Sequence, residues 1–214
     1  MTVPIQLDIE GPAFDQPFPE WPFGDLQRGH YSCICADPPW SYRTWSAKGD
    51  GKSASQHYPV MTLADIKALP VFDLATRDSI LLLWSIKPML PHAFDVMQSW
   101  GFRYSTVGFT WAKTTRKTGW SWAPKWHIGM GHWTRGNAEF CLLGTRGKPR
   151  RKGKDVRELI VSSVREHSRK PDEFFQSVER LCSGPYIELF SRTDRPGWST
   201  WGNQTGLFNE EVLS

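Results

Sequence analysis

No run of eighteen apolar residues occurs in this 214-residue sequence, so no membrane-spanning helix is expected. The first twenty residues lack a basic stretch followed by an apolar core, so no secretory signal is expected either. Cysteine is scarce. Cys33, Cys35 and Cys141 lie in strand-like apolar runs, and Cys182 ends a helix-like one. None has zinc-ligand spacing, so reduced core thiols of a cytoplasmic protein are the expectation. No metal site is expected, because His132 has no partner at zinc spacing. A glycine-rich dinucleotide loop is also missing: Gly129-Met-Gly131 follows no strand and has no third glycine.

What is present describes a water-soluble α/β chain. Hydrophobic residues make up 39% and charged residues 22%, enough for one domain with a full core. The charge is unevenly spread. Residues 146–154 hold six lysines and arginines and no acid, more than the whole net charge of +4. Such a run is either a solvated loop or an arm that grips phosphates, with Arg150, Arg151 and Lys152 at its centre. The 12 tryptophans are numerous for this length, and several fall in loops beside basic residues. They are core residues or surfaces on which bases stack.

Residues 31–40 organise the chain. Tyr31-Ser-Cys-Ile-Cys-Ala36 reads as a strand buried on both faces, and Asp37-Pro38-Pro39-Trp40 follows at once. Two prolines cannot continue a ladder, so the chain leaves the sheet there. Ligands of open α/β sheets bind at such exits. The four residues suit one chemistry. The exocyclic amine of adenine is a poor nucleophile, because its lone pair is delocalised into the ring. It must be held by acceptors in line with a methyl donor. The Asp37 carboxylate and the Pro38 carbonyl are suitable acceptors, Pro39 helps fix the carbonyl direction, and the Trp40 ring offers a face for an extruded base.

The remaining elements alternate. Thr62 and Asp65 form a capping-box-like start to a short helix stopped by Pro70. Strands are expected at 79–86, 103–113, 138–144, 157–162 and 186–192. A helix is expected over 88–100, with Leu90, Phe94 and Met97 on its inner face and Gly101 at its end. A second begins at Pro171-Asp172-Glu173, where the acids suit the positive end of the helix dipole. Phe174, Val178 and Leu181 line its inner face and Gly184 closes it. Met1–Gly24, with five prolines, reads as an irregular arm. Residues 25–206 read as the domain, and 207–214 as a tail. Two long polar loops, 41–59 and 114–137, flank the expected site.

Asp37-Pro-Pro-Trp40 resembles the signature of amino-methyltransferases that use S-adenosylmethionine. The rest of the chain, from about Asp25 to Gln204, resembles the N6-adenosine methyltransferase family named after the seventy-kilodalton subunit of the mRNA enzyme. The resemblance rests on Trp111-x-Lys113, Gly131-His132-Trp133, Glu139-x-Cys141, Lys170-Pro-Asp-Glu173, Glu188-Leu-Phe190-x-Arg192 and Gly202-Asn203-Gln204. It implies a Rossmann-like fold, circularly permuted, with the catalytic motif ahead of the cofactor motif. It implies a bound S-adenosylmethionine held by Asp37, Lys170, Phe190, Arg192, Asn203 and Gln204. Asp25 is either a further cofactor contact or a surface turn. The resemblance sets Tyr58, Trp111, Lys113, His132 and Arg135 beside the target, although Tyr58 reads equally as a packing aromatic. Thr193-Asp194-Arg195 departs from the nuclear members, which have an asparagine for the ribose there.

The expected activity is methyl transfer to N6 of adenine in nucleic acid. DNA is favoured over RNA, because the chain carries no separate RNA-binding module and resembles bacterial and phage members. The competing reading is an inactive nucleic-acid-binding subunit, which the intact tetrapeptide disfavours. A homodimer or a partner subunit stays open.

Overall fold

The structure, a computed structural model, describes residues 21–41, 61–115, 125–165 and 169–202. A seven-stranded sheet forms its centre. Its strands are β1 (Tyr31–Ala36), β2 (Ala75–Ser85), β3 (Arg103–Thr114), β4 (Ala138–Arg146), β5 (Leu159–Ser163), β6 (Tyr186–Leu189) and β7 (Trp198–Trp201). They lie in the order β5-β3-β4-β2-β1-β6-β7. β1 runs parallel to both β2 and β6, β6 parallel to β7, and β3 parallel to β5. β4 alone among them runs the other way, antiparallel to β2 and β3.

Side-chain alternation along these strands builds two cores. On one face Ile34, Ala36, Leu81, Leu83, Leu142, Ile187 and Leu189 form a cluster. It is covered by α1 (Leu63–Ala68), α2 (Val71–Leu74) and α3 (Leu90–Ser99). On the other face Cys33, Cys35, Leu82, Trp84, Phe109, Trp111 and Cys141 pack under α4 (Asp172–Leu181), which buries Phe174, Phe175 and Val178. Each of those three side chains contributes about 2 kcal/mol on burial. The result is an α/β/α sandwich of the Rossmann-like kind.

Several expectations need adjusting. The helix of 88–100 starts as a 3₁₀ turn at Lys87–Met89 and buries Ala93, Val96 and Met97. Phe94 lies outside, against Tyr104. Leu90 packs against the first core and Met97 is buried in it, as expected; of the three, Phe94 alone turns out. Trp100 caps this helix, is fully buried, and donates from Nε1 to Ile66 O at 2.9 Å. The last long strand stops at Leu189, since Phe190 takes φ 62° and turns the chain. β7 was not expected. Its four residues are too short for a periodic signal, and it forms by pairing with β6.

Candidate active site

The end of the sheet where β1 stops is polar, and alternation explains why. On the second face, Cys33 and Cys35 lead to Asp37. Leu82 leads to Trp84, and Phe109 and Trp111 lead to Lys113. Antiparallel β4 brings Glu139 to the same end ahead of Cys141, with Glu139 opposite Trp111. β6 contributes Glu188 opposite Cys35. The apolar core thus runs into a layer of acids and bases at one end of the strands. Lys170, at the mouth of α4, lies among them.

Lys170 Nζ donates to Asp37 Oδ2 at 2.5 Å and sits 3.4 Å from Glu139 Oε2. Lys113 donates to the other Glu139 oxygen. The lysine ammonium also faces the Trp84 ring, 5.3 Å from its centroid. Burial opposes the charge on Lys170, yet Asp37 and Glu139 beside it raise its pKa above the ordinary lysine value. Burial likewise pushes the Glu139 carboxyl up, but Lys170 and Lys113 outweigh it and the net shift is downward. The cluster is therefore a charged, mutually paired group.

Asp37, Arg169, Lys170, Phe175, Glu188, Phe190, Arg192, Thr193 and Arg195 line an open cleft. Burial pushes the Glu188 carboxyl up to about 7, against the Ser191 hydroxyl, which donates to Oε2 at 3.0 Å. The cleft spans the sheet end from one core to the other. Phe190 packs with Trp201 toward the first core, and Phe175 belongs to the second. The turn at 21–26, which carries the exposed Asp25, docks beside Phe190: Phe23 meets Trp201 edge-on, and Trp201 Nε1 donates to Pro22 O.

The structure brings together Asp37, Lys170, Phe190 and Arg192, all expected at the cofactor. Lys113 is joined to them through Glu139. Trp40 takes a different place. Its ring is 4% exposed, packs in the first core, and donates from Nε1 to Trp84 O at 3.1 Å. Instead of offering a face to a base, it pins the exit of β1 to β2. Trp111 is buried as well, with Nε1 donating to Ser162 O. The Pro38 carbonyl already accepts from Trp40 N at 2.8 Å, which leaves it one lone pair for a ligand. Pro39 O accepts from Met61 N at 3.2 Å.

His132 and Arg135 lie on the exposed segment between β3 and β4, at the same end of the sheet as Asp37. A backbone pair between Gly129 and Gly136 closes this loop, and Arg135 Nε donates to Gly129 O at 2.7 Å. Gly131 is required there, since a Cβ would lie 1.8 Å from Thr134 O. Trp133 at its tip is 92% exposed.

Arg150, Arg151 and Lys152 lie elsewhere. β4 runs away from Asp37, so the basic segment that follows it begins at the far end of the sheet. Lys152 N donates to Leu181 O, at the last turn of α4, and Lys152 Nζ to Glu179 O. Tyr58, Asn203 and Gln204 lie outside the described residues. Among the described residues, no group of three His, Cys, Asp or Glu side chains is placed to hold a metal ion, and no helix is long and apolar enough to cross a membrane.

Sequence reasoning gave no cofactor role to Glu188 or Arg195. The signal for Glu188 was an acid on the alternating inner face of an apolar strand. Arg195 had none, since its approach depends on the turn at Phe190. Its Nε is buried and has no hydrogen-bond partner among the described residues. An orphaned donor of this kind, in a cleft holding both acids and bases, fits a zwitterionic ligand with a carboxylate.

A Rossmann-like sheet with an acid-proline-proline exit and a charged cleft across its strand ends defines a methyltransferase of the α/β class. Residues 31–204 match the model of the MT-A70 family, and the chain belongs to that family. It is 31% identical over 198 residues to the type II methyltransferase M.MunI of a Mycoplasma species, covering 84% of this chain and 80% of that protein. It is 30% identical over 206 residues to the human N(6)-adenosine-methyltransferase catalytic subunit METTL3, covering 87% of this chain but 31% of that protein. A putative MT-A70-like N(6)-adenosine-methyltransferase of Medicago truncatula is similar at 30% over 202 residues, 87% of this chain and 29% of the other.

Proposed function

We propose that this chain methylates the N6 amine of adenine in nucleic acid, with DNA as the favoured polymer. The carrying observation is the position of Asp37, held at the strand exit by Lys170 and open to the cleft, inside a family match that covers most of the chain. Support for DNA comes from the extent of similarity: it spans most of M.MunI but less than a third of METTL3. The METTL3-like relatives keep RNA as the second reading.

S-Adenosylmethionine is the cofactor of this reading, and supplies the methyl group as an activated sulfonium. Phe190, Arg192, Asp25, Asn203 and Gln204 hold its nucleoside end; Asp37 and Lys170 lie toward the reacting centre. Lys170 fixes Asp37 Oδ2, which leaves Oδ1 to accept a hydrogen bond from the target amine. The free lone pair of Pro38 O accepts the second. The amine is then held with its nitrogen lone pair turned to the donor, and no covalent enzyme intermediate is needed. The cluster of Lys113, Glu139 and Lys170 acts as a preorganised wall behind Asp37. The loop carrying His132, Arg135 and the exposed Trp133 serves the nucleic acid near the target.

Residues 25–206 form the methyltransferase domain of this reading, flanked by an arm at 1–24 and a tail at 207–214. The early acceptor motif and late cofactor strand support a circularly permuted order. The unpaired buried cysteines support a cytoplasmic site of action. A homodimer or partner subunit completing the substrate surface is compatible with the exposed Trp133 loop. The test offers single-stranded DNA, duplex DNA and RNA in parallel with S-adenosylmethionine, and identifies modified nucleosides by mass spectrometry. N6-Methyladenine in DNA is expected. Its appearance in RNA alone would reverse the choice of polymer, and no methylated base in any of them would count against the reading.

A further inference from the structure

Building on the proposed methyltransferase reading, we infer that Arg195 receives the carboxylate at the amino-acid end of the cofactor, rather than Lys170, the buried lysine of the same cleft. Lys170 is poorly placed for that task. Its ammonium is 2.5 Å from Asp37 and 3.4 Å from Glu139, and its side chain is 7% exposed. Two acids already meet its charge. A third carboxylate would have to displace one of them.

Arg195 is in the opposite situation. Its guanidinium stacks on the Phe175 ring at 3.6 Å, which fixes the plane of the fork. Its ion-pair contact with Asp172 is 3.8 Å from Nη2, beyond hydrogen-bond distance, and Glu188 shares the cleft with it without a direct bond to Nε. Asp172 is better satisfied by Arg165, whose Nη1 donates to Oδ2 at 2.6 Å. The Arg195 Nε is buried without a partner, in a residue that lines the cleft. A buried donor on a pre-stacked guanidinium is complementary to a planar, anionic acceptor.

The direction of the cleft agrees. The nucleoside end of the cofactor belongs beside Phe190, which packs toward Trp201 and the first core. Arg195 lies at the other side of the sheet, over Phe175 in the second core. Asp37 lines the same cleft. A ligand with its reacting sulfur near Asp37 and its nucleoside against Phe190 therefore carries its amino-acid end toward Arg195. Cations also exceed acids in the lining: Arg169, Lys170, Arg192 and Arg195 face Asp37 and Glu188.

Calorimetric binding of S-adenosylhomocysteine and of decarboxylated S-adenosylmethionine tests this directly, alongside thermal melting of each variant. Arg195→Gln should weaken S-adenosylhomocysteine about 10- to 100-fold, the range of a lost charge-assisted bond. It should leave the decarboxylated compound within about twofold. Arg195→Lys keeps the charge but loses the fork and Nε–H, and should fall between wild type and the glutamine variant. Equal loss for both compounds would overturn the inference, since the arginine would then serve the nucleoside or the cleft itself. Unchanged binding of both would overturn it too. Failure of the wild-type chain to bind either compound would instead overturn the methyltransferase reading on which the inference rests.

Discussion

Lys170 Nζ lies 2.5 Å from Asp37 Oδ2, although 133 residues separate them in the chain. The contact joins the exit of β1 to the mouth of α4, two elements that share the second core. It exists because Cys33, Cys35 and Asp37 share one face of β1, and α4 packs on that face through Phe174, Phe175 and Val178. Glu139 closes the group from β4. The acceptor for chemistry is thus held by an ion pair that also ties the sandwich together.

Lys170→Met should therefore damage both stability and activity. It leaves Asp37 without its cation and Glu139 with Lys113 alone. Removing one partner of a largely buried pair costs about 3 kcal/mol. Urea unfolding should show that loss. Adding Asp37→Asn should recover part of it, because the carboxylate left without its cation then disappears. Strict additivity of the two changes would argue against a coupled cluster.

Asp37→Ala should reduce methyl transfer at least about 100-fold, the scale of losing one preorganised hydrogen bond at a reacting group. The fold should persist, since Asp37 is partly exposed and Lys170 keeps Glu139 as a partner. Product analysis by mass spectrometry and a melting curve together check the prediction. Activity close to wild type would remove Asp37 from the mechanism.

Much of this arrangement was legible in the sequence. β1 was readable to the residue, because a short apolar run is cut by two prolines that cannot pair. α4 was readable because acids at its start and a spaced apolar face agree. Side-chain direction was not. The tetrapeptide reveals a chemistry but not that the Trp40 ring turns into the core; its bond to Trp84 O depends on how β1 meets β2. Glu188 and Arg195 reach the cleft only through the β1–β6 pairing and the turn at Phe190, which are contacts distant in sequence. The place of the basic segment was illegible for the same reason. Its composition fits phosphate, but the reversed direction of β4 sets it at the far end of the sheet.

The Glu188 carboxyl predicts a pH dependence of stability. Burial raises its pKa from 4.5 to about 7. Between those values the folded chain holds a proton that the unfolded chain has released. Stability should therefore be greatest below about pH 4.5, fall as pH rises toward 7, and then level off with respect to this group. Glu188→Gln should remove that slope. At pH 8 the ligand-free variant should be more stable than wild type by about 3 kcal/mol, and below pH 4.5 the two should converge. Urea midpoints at pH 4, 6 and 8 would measure it. A wild-type curve rising through this window relative to the variant would contradict the assignment.

The distance between Arg150–Arg151 and Asp37 turns the phosphate-gripping idea into a length test. β4 has nine residues, about 30 Å at strand rise, and the basic segment begins past its far end. That span is close to one turn of B-form duplex. A target adenine at Asp37 and phosphates at Arg150 and Arg151 can be engaged together only by a polymer longer than that. Arg150→Ala with Arg151→Ala should weaken binding of a 30-base-pair duplex and lower the slope of log affinity against log salt by about 2. Binding of a duplex hairpin of about six base pairs, roughly 20 Å long at about 3.4 Å per base pair and so too short to reach, should be unchanged. Lys152 is excluded from the pair because its ammonium caps the Glu179 carbonyl of α4, so its loss would mix stability with binding. Equal weakening for both lengths would mean that the arginines act through the general field of the protein. No weakening for either would make the segment a solvated loop.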